Sequence, residues 1–373
     1  MRIVNGLVYR NGAFEEGTVC MSEGLIVDEV AAAADADVYD AAGCYVVPGL
    51  IDLHFHGCLG HDFCEGTVEA VHAIAAWEAS RGVTAICPAT MTFPEETLGA
   101  VMDAAHAFEP AENEAALVGV NMEGPFISPN KVGAQNPAYV HEPDADMFRR
   151  LQARAGGLVK LVDIAPEQPG ADTFIAELAD EVRISLAHTC ADYDTASAAY
   201  RAGARQATHL CNAMPPLHHR APGVIAAAYD CPDATVELIC DGVHVHPAMV
   251  RVVFGLFGAS RVILISDTME AAGLDDGEYE LGGQAVTVRG NVAALHDGTI
   301  AGGVTNVAEC LRIAVSDMGI PLADAVKAAT ENPARALGIF DARGSLDVGK
   351  VADVVVLDQN LRMRDVFVRS TLL

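Results

Sequence analysis

Imidazoles and carboxylates recur where apolar runs of this chain end. His54 and His56 close LIDLHFHG, Glu123 sits in LVGVNMEG, His188 in RISLAHT, His209 in QATHLCNA, His244 in TVELICDGVHV and Asp267 in VILISD. Neutral imidazole and ionised carboxylate both donate lone pairs to divalent cations. A set without thiolates favours zinc, iron(II), manganese or cobalt over calcium or an iron–sulfur cluster. The spacing of two in His54-Phe55-His56 turns both imidazoles to one side of a strand and Phe55 to the helical layer. Glu123 precedes Gly124 and Pro125, which break the strand, and a carboxylate buried there is either a ligand or ion-paired. Any one of these histidines reads equally well as a satisfied core residue. Their arrival at the same end of four separate runs does not.

Six ligands, His54, His56, Glu123, His188, His209 and Asp267, exceed what one tetrahedral ion takes. The economical division is two ions sharing Glu123, one with His188 and His209, the other with His54, His56 and Asp267. Two ions about 3.5 to 4 Å apart generate hydroxide near neutral pH and polarise a scissile carbonyl together. The four lysines, at 131, 160, 327 and 350, are all poorly placed for a carbamylated bridge after a fourth strand, which leaves Glu123 as the expected bridge.

These residues need elements to hold them. Eight apolar, β-branched runs, at 50–57, 84–90, 117–124, 159–167, 183–189, 206–213, 235–245 and 262–267, alternate with alanine-rich helical stretches. Continuous apolar strands separated by helices imply a parallel sheet covered on both faces. Eight such units imply an α/β fold, a (β/α)8 TIM barrel with its chemistry at the C-terminal strand ends. Residues 1–48 and 341–373 carry short alternating segments, which predicts a small β-sandwich subdomain built from both termini around a barrel domain at 49–340. The turn-rich stretch 275–300 is expected to form a hairpin.

Composition limits partners. The 373 residues hold 23 Lys and Arg against 51 Asp and Glu, a formal charge of -28, which argues against nucleic acid and anionic membrane surfaces. Apolar residues make up 51% of the chain, enough for a large core. No stretch reads as a signal peptide or membrane span, and the ten scattered cysteines read as reduced packing residues, so a soluble, cytoplasmic protein is expected.

PGLIDLHFHG, MEGPFISPNKVGAQNP, LAHTCADY, THLCNAMPPLHHRAPG, DGVHVHP and SDTMEAAG, with ENPARALGI and RGSLDVGKVADVVVLD near the end, resemble the N-acetylglucosamine-6-phosphate deacetylase family of the amidohydrolase superfamily. The resemblance implies a barrel with a terminal β-sandwich and removal of acetate from the 2-acetamido group of a phosphorylated amino sugar. It implies one or two divalent ions per subunit, zinc first among them. Glu123, His188 and His209 match the metal site present throughout that family, and His54 and His56 match a second that some members lack. Asp267 is then the acid–base residue, taking a proton from water and returning it to the leaving amine, and His244 the group that polarises the carbonyl. Asn212, Ala213, Ala134, His219 and Arg220 match substrate contacts, the Arg220 guanidinium suiting a phosphate dianion. The family implies a homodimer or homotetramer. Gly303 stands in AGGVTN where serine is usual, and a looser loop over the sugar is expected from it.

Overall fold

The alternating segments at the two ends of the chain find each other across the molecule. In this computed structural model, which describes residues 1–30 and 36–373, Arg2–Arg10 and Ala13–Ser22 pair as an antiparallel hairpin turned at Asn11 and Gly12. Tyr45–Pro48 lies parallel to the second half of Arg2–Arg10, and the C-terminal Val354–Leu357 runs antiparallel beside it. Eight strands from both termini thus make one hydrogen-bonded sheet. Arg2–Arg10, whose register against Ala13–Ser22 breaks between Ile3 and Gly6, also pairs with Val38–Asp40 along its start and Tyr45–Pro48 along its end. Ile3, Val8, Val19, Val46, Val354 and Phe367 form the apolar cluster of this sheet.

The central runs form parallel strands, numbered β1 Leu50–Asp52, β2 Val83–Ile86, β3 Val120–Glu123, β4 Val159–Ile164, β5 Arg183–Leu186, β6 Gln206–Ala207, β7 Thr235–Ile239 and β8 Val262–Ile265. β3 to β8 form a six-stranded parallel sheet, and β1, β2 and Ala116–Leu117 a three-stranded one. A bridge between Ala89 and Asn121 joins the two sheets. At the other edge Asp267 N donates to His54 O (2.9 Å) and His56 N to Thr268 O (2.6 Å), which ties the end of β8 to the end of β1. The strands are shorter than the apolar runs, because the polar ends of those runs leave the ladder to form the site.

Between strands run the helices α1 Val68–Ser80, α2 Glu95–Ala107, α3 Ala145–Arg154, α4 Ala171–Leu178, α5 Tyr193–Ala202, α6 Gly223–Asp230 and α7 Pro247–Phe257. Alternation along the strands sorts their side chains into two clusters. Leu50, Val162, Val236, Leu238, Val262 and Leu264 join the helix-facing core with Phe55, Val71 and Ile74. Ile51, Leu161, Ile239, Ile263 and Ile265 face the opposite way, with Leu53, Ala334 and Leu337. After β8, the expected hairpin at 275–300 is a three-stranded antiparallel sheet of Gly277–Leu281, Gln284–Arg289 and Val292–Leu295.

Candidate metal centre and its pocket

The polar residues collect where the parallel strands stop. Glu123 ends β3, and His54, His188, His209 and Asp267 each lie two residues beyond the last residue of β1, β5, β6 and β8. His54-Phe55-His56 is therefore not a strand segment, yet its backbone still runs between neighbours, with Ala89 N donating to Phe55 O (2.7 Å) on one side. The rings of His54 and His56 lie 5.6 Å apart at 88°, and Phe55 is buried among α1 side chains as the spacing predicts. His188, His209 and Asp267 hold positive φ angles of 42°, 28° and 52°. Such conformations cost of the order of 1–3 kcal/mol each in a side-chain-bearing residue and cluster at functional sites.

Glu123 is the hub. Its Oε1 lies 3.1 Å from both His188 Nε2 and His209 Nε2 and 3.4 Å from His54 Nε2, while its Oε2 lies 3.5 Å from His56 Nε2. Asp267 Oδ1 lies 3.3 Å from His56 Nε2 and 3.6 Å from His54 Nε2. Two ligand groups result, His54, His56 and Glu123, and Glu123, His188 and His209, with donor atoms within 4.8 Å of one another. His54 Nε2 is buried and has no hydrogen-bond partner although two carboxylates converge on it. A donor set of this kind fits a divalent cation, and the carboxylate shared by both groups fits a bridge.

The charges within the site hold each other. Burial opposes ionisation of Glu123, but the His54 charge and hydrogen bonds from His188 and His209 outweigh it and keep the carboxyl well below the usual range. Burial likewise opposes ionisation of Asp267, which His56, His54 and His244 nevertheless bring down to about 2. Burial disfavours a charged His54, yet Glu123 and Glu237 raise its pKa well above the ordinary value. His244 follows the same pattern, its Nδ1 held 2.7 Å from Asp241 Oδ2 and its Nε2 lying 3.8 Å from Asp267 Oδ2.

Above the hub opens a cavity of about 540 Å³, lined by His56, Glu123, His188, His209, His244 and Asp267 and by Ala134, Asn212 and Ala213. Arg220 and His219 are not on that wall. They occupy an exposed loop in which Arg220 Nη1 donates to His219 Nε2 (2.6 Å) and Arg220 N to His218 Nδ1 (3.3 Å). His246 caps α7, accepting from Ala248 N.

Gly303 does not loosen its loop. Its N donates to Asp267 O (2.6 Å), its O accepts from Met269 N (2.9 Å), and a Cβ there would stand 2.8 Å from Ser266 O. The missing side chain lets two backbone segments close on one another directly under Asp267.

Sequence reasoning missed several supports. Gln135 donates to Glu123 Oε2 (2.6 Å) while its own oxygen accepts from Thr92 N (2.6 Å). Lys131 O accepts from His188 Nδ1 (2.9 Å), and Lys131 lines the pocket. Asp297 and Thr299, from the loop after Val292–Leu295, line it too. Gln135 and Lys131 lie in the motif that carries Glu123, and their position there was the available signal.

Residues 45–371 match the amidohydrolase family. The chain belongs to that family. Within it, the chain is 37% identical over 363 residues to N-acetylglucosamine-6-phosphate deacetylase of Bacillus subtilis, covering 95% of this chain and 92% of the relative. It is 34% identical to N-acetylgalactosamine-6-phosphate deacetylase of Escherichia coli O157:H7, covering 96% of each. A solved amidohydrolase structure, a variant N-acetyl-D-glucosamine-6-phosphate deacetylase from Mycobacterium smegmatis in complex with N-acetyl-D-glucosamine-6-phosphate, superimposes with a TM-score of 0.93 at 34% identity over 100% of this chain and 98% of that one.

Proposed function

We propose that this amidohydrolase is a metal-dependent deacetylase of N-acetyl-D-glucosamine 6-phosphate, releasing acetate and D-glucosamine 6-phosphate in amino-sugar catabolism. The observation that carries this reading is a cluster of five ligand residues with Asp267 beside it under a pocket, in a chain similar over nearly its whole length to enzymes of that name. His54, His56, Glu123, His188, His209 and Asp267 would hold one or two divalent ions, zinc first, with iron, manganese or cobalt as substitutes. A bound ion would supply a Lewis acid for the acetamide carbonyl and acidify the attacking water.

The chain's own residues do the rest. Asp267, held ionised, takes the proton of the attacking water and delivers it to the amine as the C–N bond breaks, since an amine anion is a poor leaving group. His244, its Nδ1 committed to Asp241, offers Nε2–H to the oxygen that gains charge. Asn212, Ala213 and Ala134 position the sugar. Among the described residues Lys131 is the one Lys or Arg on the pocket wall, and Arg220 and His219 would reach the phosphate in an assembled homodimer or homotetramer. Leu217, Tyr229, Val252 and Leu256 are large apolar side chains exposed by 37–49%, which supports such an assembly. We further read the parallel strands as a closed (β/α)8 barrel at 49–340, supported by the β8-to-β1 hydrogen bonds. The terminal sheet at 1–48 and 341–373 is read as folding over its own apolar cluster as a sandwich. All ten cysteines are free thiols, which agrees with a reducing, cytoplasmic setting.

The Escherichia coli relative keeps a second reading in view, deacetylation of the galactosamine epimer. Elemental analysis and acetate release from both phosphorylated sugars, in one preparation, test the proposal. A bound divalent metal with a higher kcat/KM on the glucosamine epimer is expected. No metal and no acetate would sink it.

A further inference from the structure

Behind His54 runs a chain of hydrogen bonds whose direction is fixed at its far end. A guanidinium only donates. Arg183 Nε donates to Gln206 Oε1 (2.8 Å), so the Gln206 amide must point its nitrogen the other way, and Nε2 donates to Glu237 Oε1 (2.5 Å). Glu237, fully buried on β7, turns its second oxygen to His54 Nδ1 (3.0 Å) and to the backbone N–H of His209 (3.2 Å). Both Glu237 oxygens already accept from N–H groups that can only donate, so the carboxylate meets His54 as an acceptor. Asn121 Nδ2 also lies 3.3 Å from Nδ1, but an amide can turn either end to it, so Glu237 decides that a proton sits on Nδ1 and that Nε2, facing Glu123 and Asp267, is the nitrogen free to take a metal.

We infer that Glu237, oriented by Gln206 and Arg183, is the positioning residue that sets the His54 tautomer and so makes the His54/His56 group competent to bind a metal. The inference rests on the metal reading above but not on the identity of the substrate. The same oxygen accepts from the main chain of His209, a ligand of the other group, so replacing it also removes that acceptor, but at His209 no ring proton is moved by the change. The ring of His54 depends on it chemically. In Glu237→Gln the single amide oxygen is taken by Gln206, and the NH2 faces His54 Nδ1. Neutral His54 then accepts at Nδ1 and carries its proton on Nε2, where it blocks the ion.

The test is titration of chelator-stripped protein with zinc ion alone, followed by calorimetry, for wild type and Glu237→Gln, with thermal melts showing that both are folded. Partners of this kind change metal affinity by about 10- to 100-fold. The expected result is that loss at one of two zinc equivalents with a clearly smaller change at the other, and equal losses at both would overturn the inference. Equal stoichiometry and affinity in the two proteins would overturn the inference, as would wild type binding no zinc at the His54/His56 group. A measurement on wild type alone guards against a variant that fails to fold. Histidine ¹⁵N spectra of the zinc-loaded protein, with His54 assigned by its disappearance in His54→Gln, should show a protonated Nδ1, and a protonated Nε2 would overturn the proposal. Zinc behaving as expected without acetate release would leave this inference standing and remove the deacetylase reading instead.

Discussion

Asp267 is asked to accept a proton and to return it, and its surroundings fit the first task. His56 and His244 stand 3.3 and 3.8 Å from its two oxygens, and it remains ionised despite burial. Asp267→Asn keeps the shape and an oxygen donor but removes the base. Turnover should fall by about 10³-fold or more while elemental analysis still finds metal; near-wild-type kcat would remove Asp267 from its role. The ligands themselves were legible in the sequence because a histidine or carboxylate at the end of an apolar run is conspicuous. Their supports were not. Gln135 sits in a loop whose path no periodicity predicts, and Glu237 interrupts an apolar strand at one position, where a lone inward carboxylate has no visible partner until the fold brings Gln206 on β6 and His54 after β1 to it. Arg220 shows the opposite case. Its type and motif are plain, but its exposed loop leaves it off the pocket wall, and no local pattern says what that loop will meet.

Elements show how much periodicity carries and where it stops. The inward and outward alternation of β8 separates Val262 and Leu264 from Ile263 and Ile265 as a buried parallel strand requires. The apolar runs extend past the strand ends because His54 to His56 and His188 leave the ladder while their neighbours in sequence stay apolar. The apolar helix α1 carries the clearest departure from pattern. Glu78 is buried there with neither carboxyl oxygen hydrogen-bonded. Burial and the nearby Asp52 charge push its pKa well above the ordinary value, and Arg81 only partly counters them. A carboxyl whose pKa is raised by folding takes up a proton as the chain folds. Its stability contribution is therefore full below the unfolded pKa of about 4.3 and is lost as pH rises toward the folded value. Glu78→Gln cannot ionise, so it should gain stability relative to wild type as pH is raised from 5 to 8, by up to about 1.4 kcal/mol per pH unit. Denaturant melts across that range check the sign; parallel curves for the two proteins would show that Glu78 is already ionised in the fold.

On the scale of the whole molecule the surplus of 28 negative charges must coexist with a substrate that is itself an anion. Not every acidic side chain outside the ligand set stays away from the pocket. Asp297 lines the wall, held below its usual pKa by the N–H and hydroxyl of Thr299. Lys131 lines the same pocket with the opposite charge. Two opposite charges at the mouth leave the general field of the molecule as the main long-range effect, and at 0.15 M salt that field decays within about 8 Å. Raising salt from 0.05 to 0.5 M should therefore lift kcat/KM for the phosphorylated sugar by less than about threefold, through weaker repulsion of the incoming dianion. Lys131→Ala leaves Asp297 unopposed, so its kcat/KM should start lower and climb more steeply with salt than wild type. If the two proteins respond to salt identically, Lys131 does not meet the phosphate on its way in, and the cation that receives it must come from the Arg220 loop.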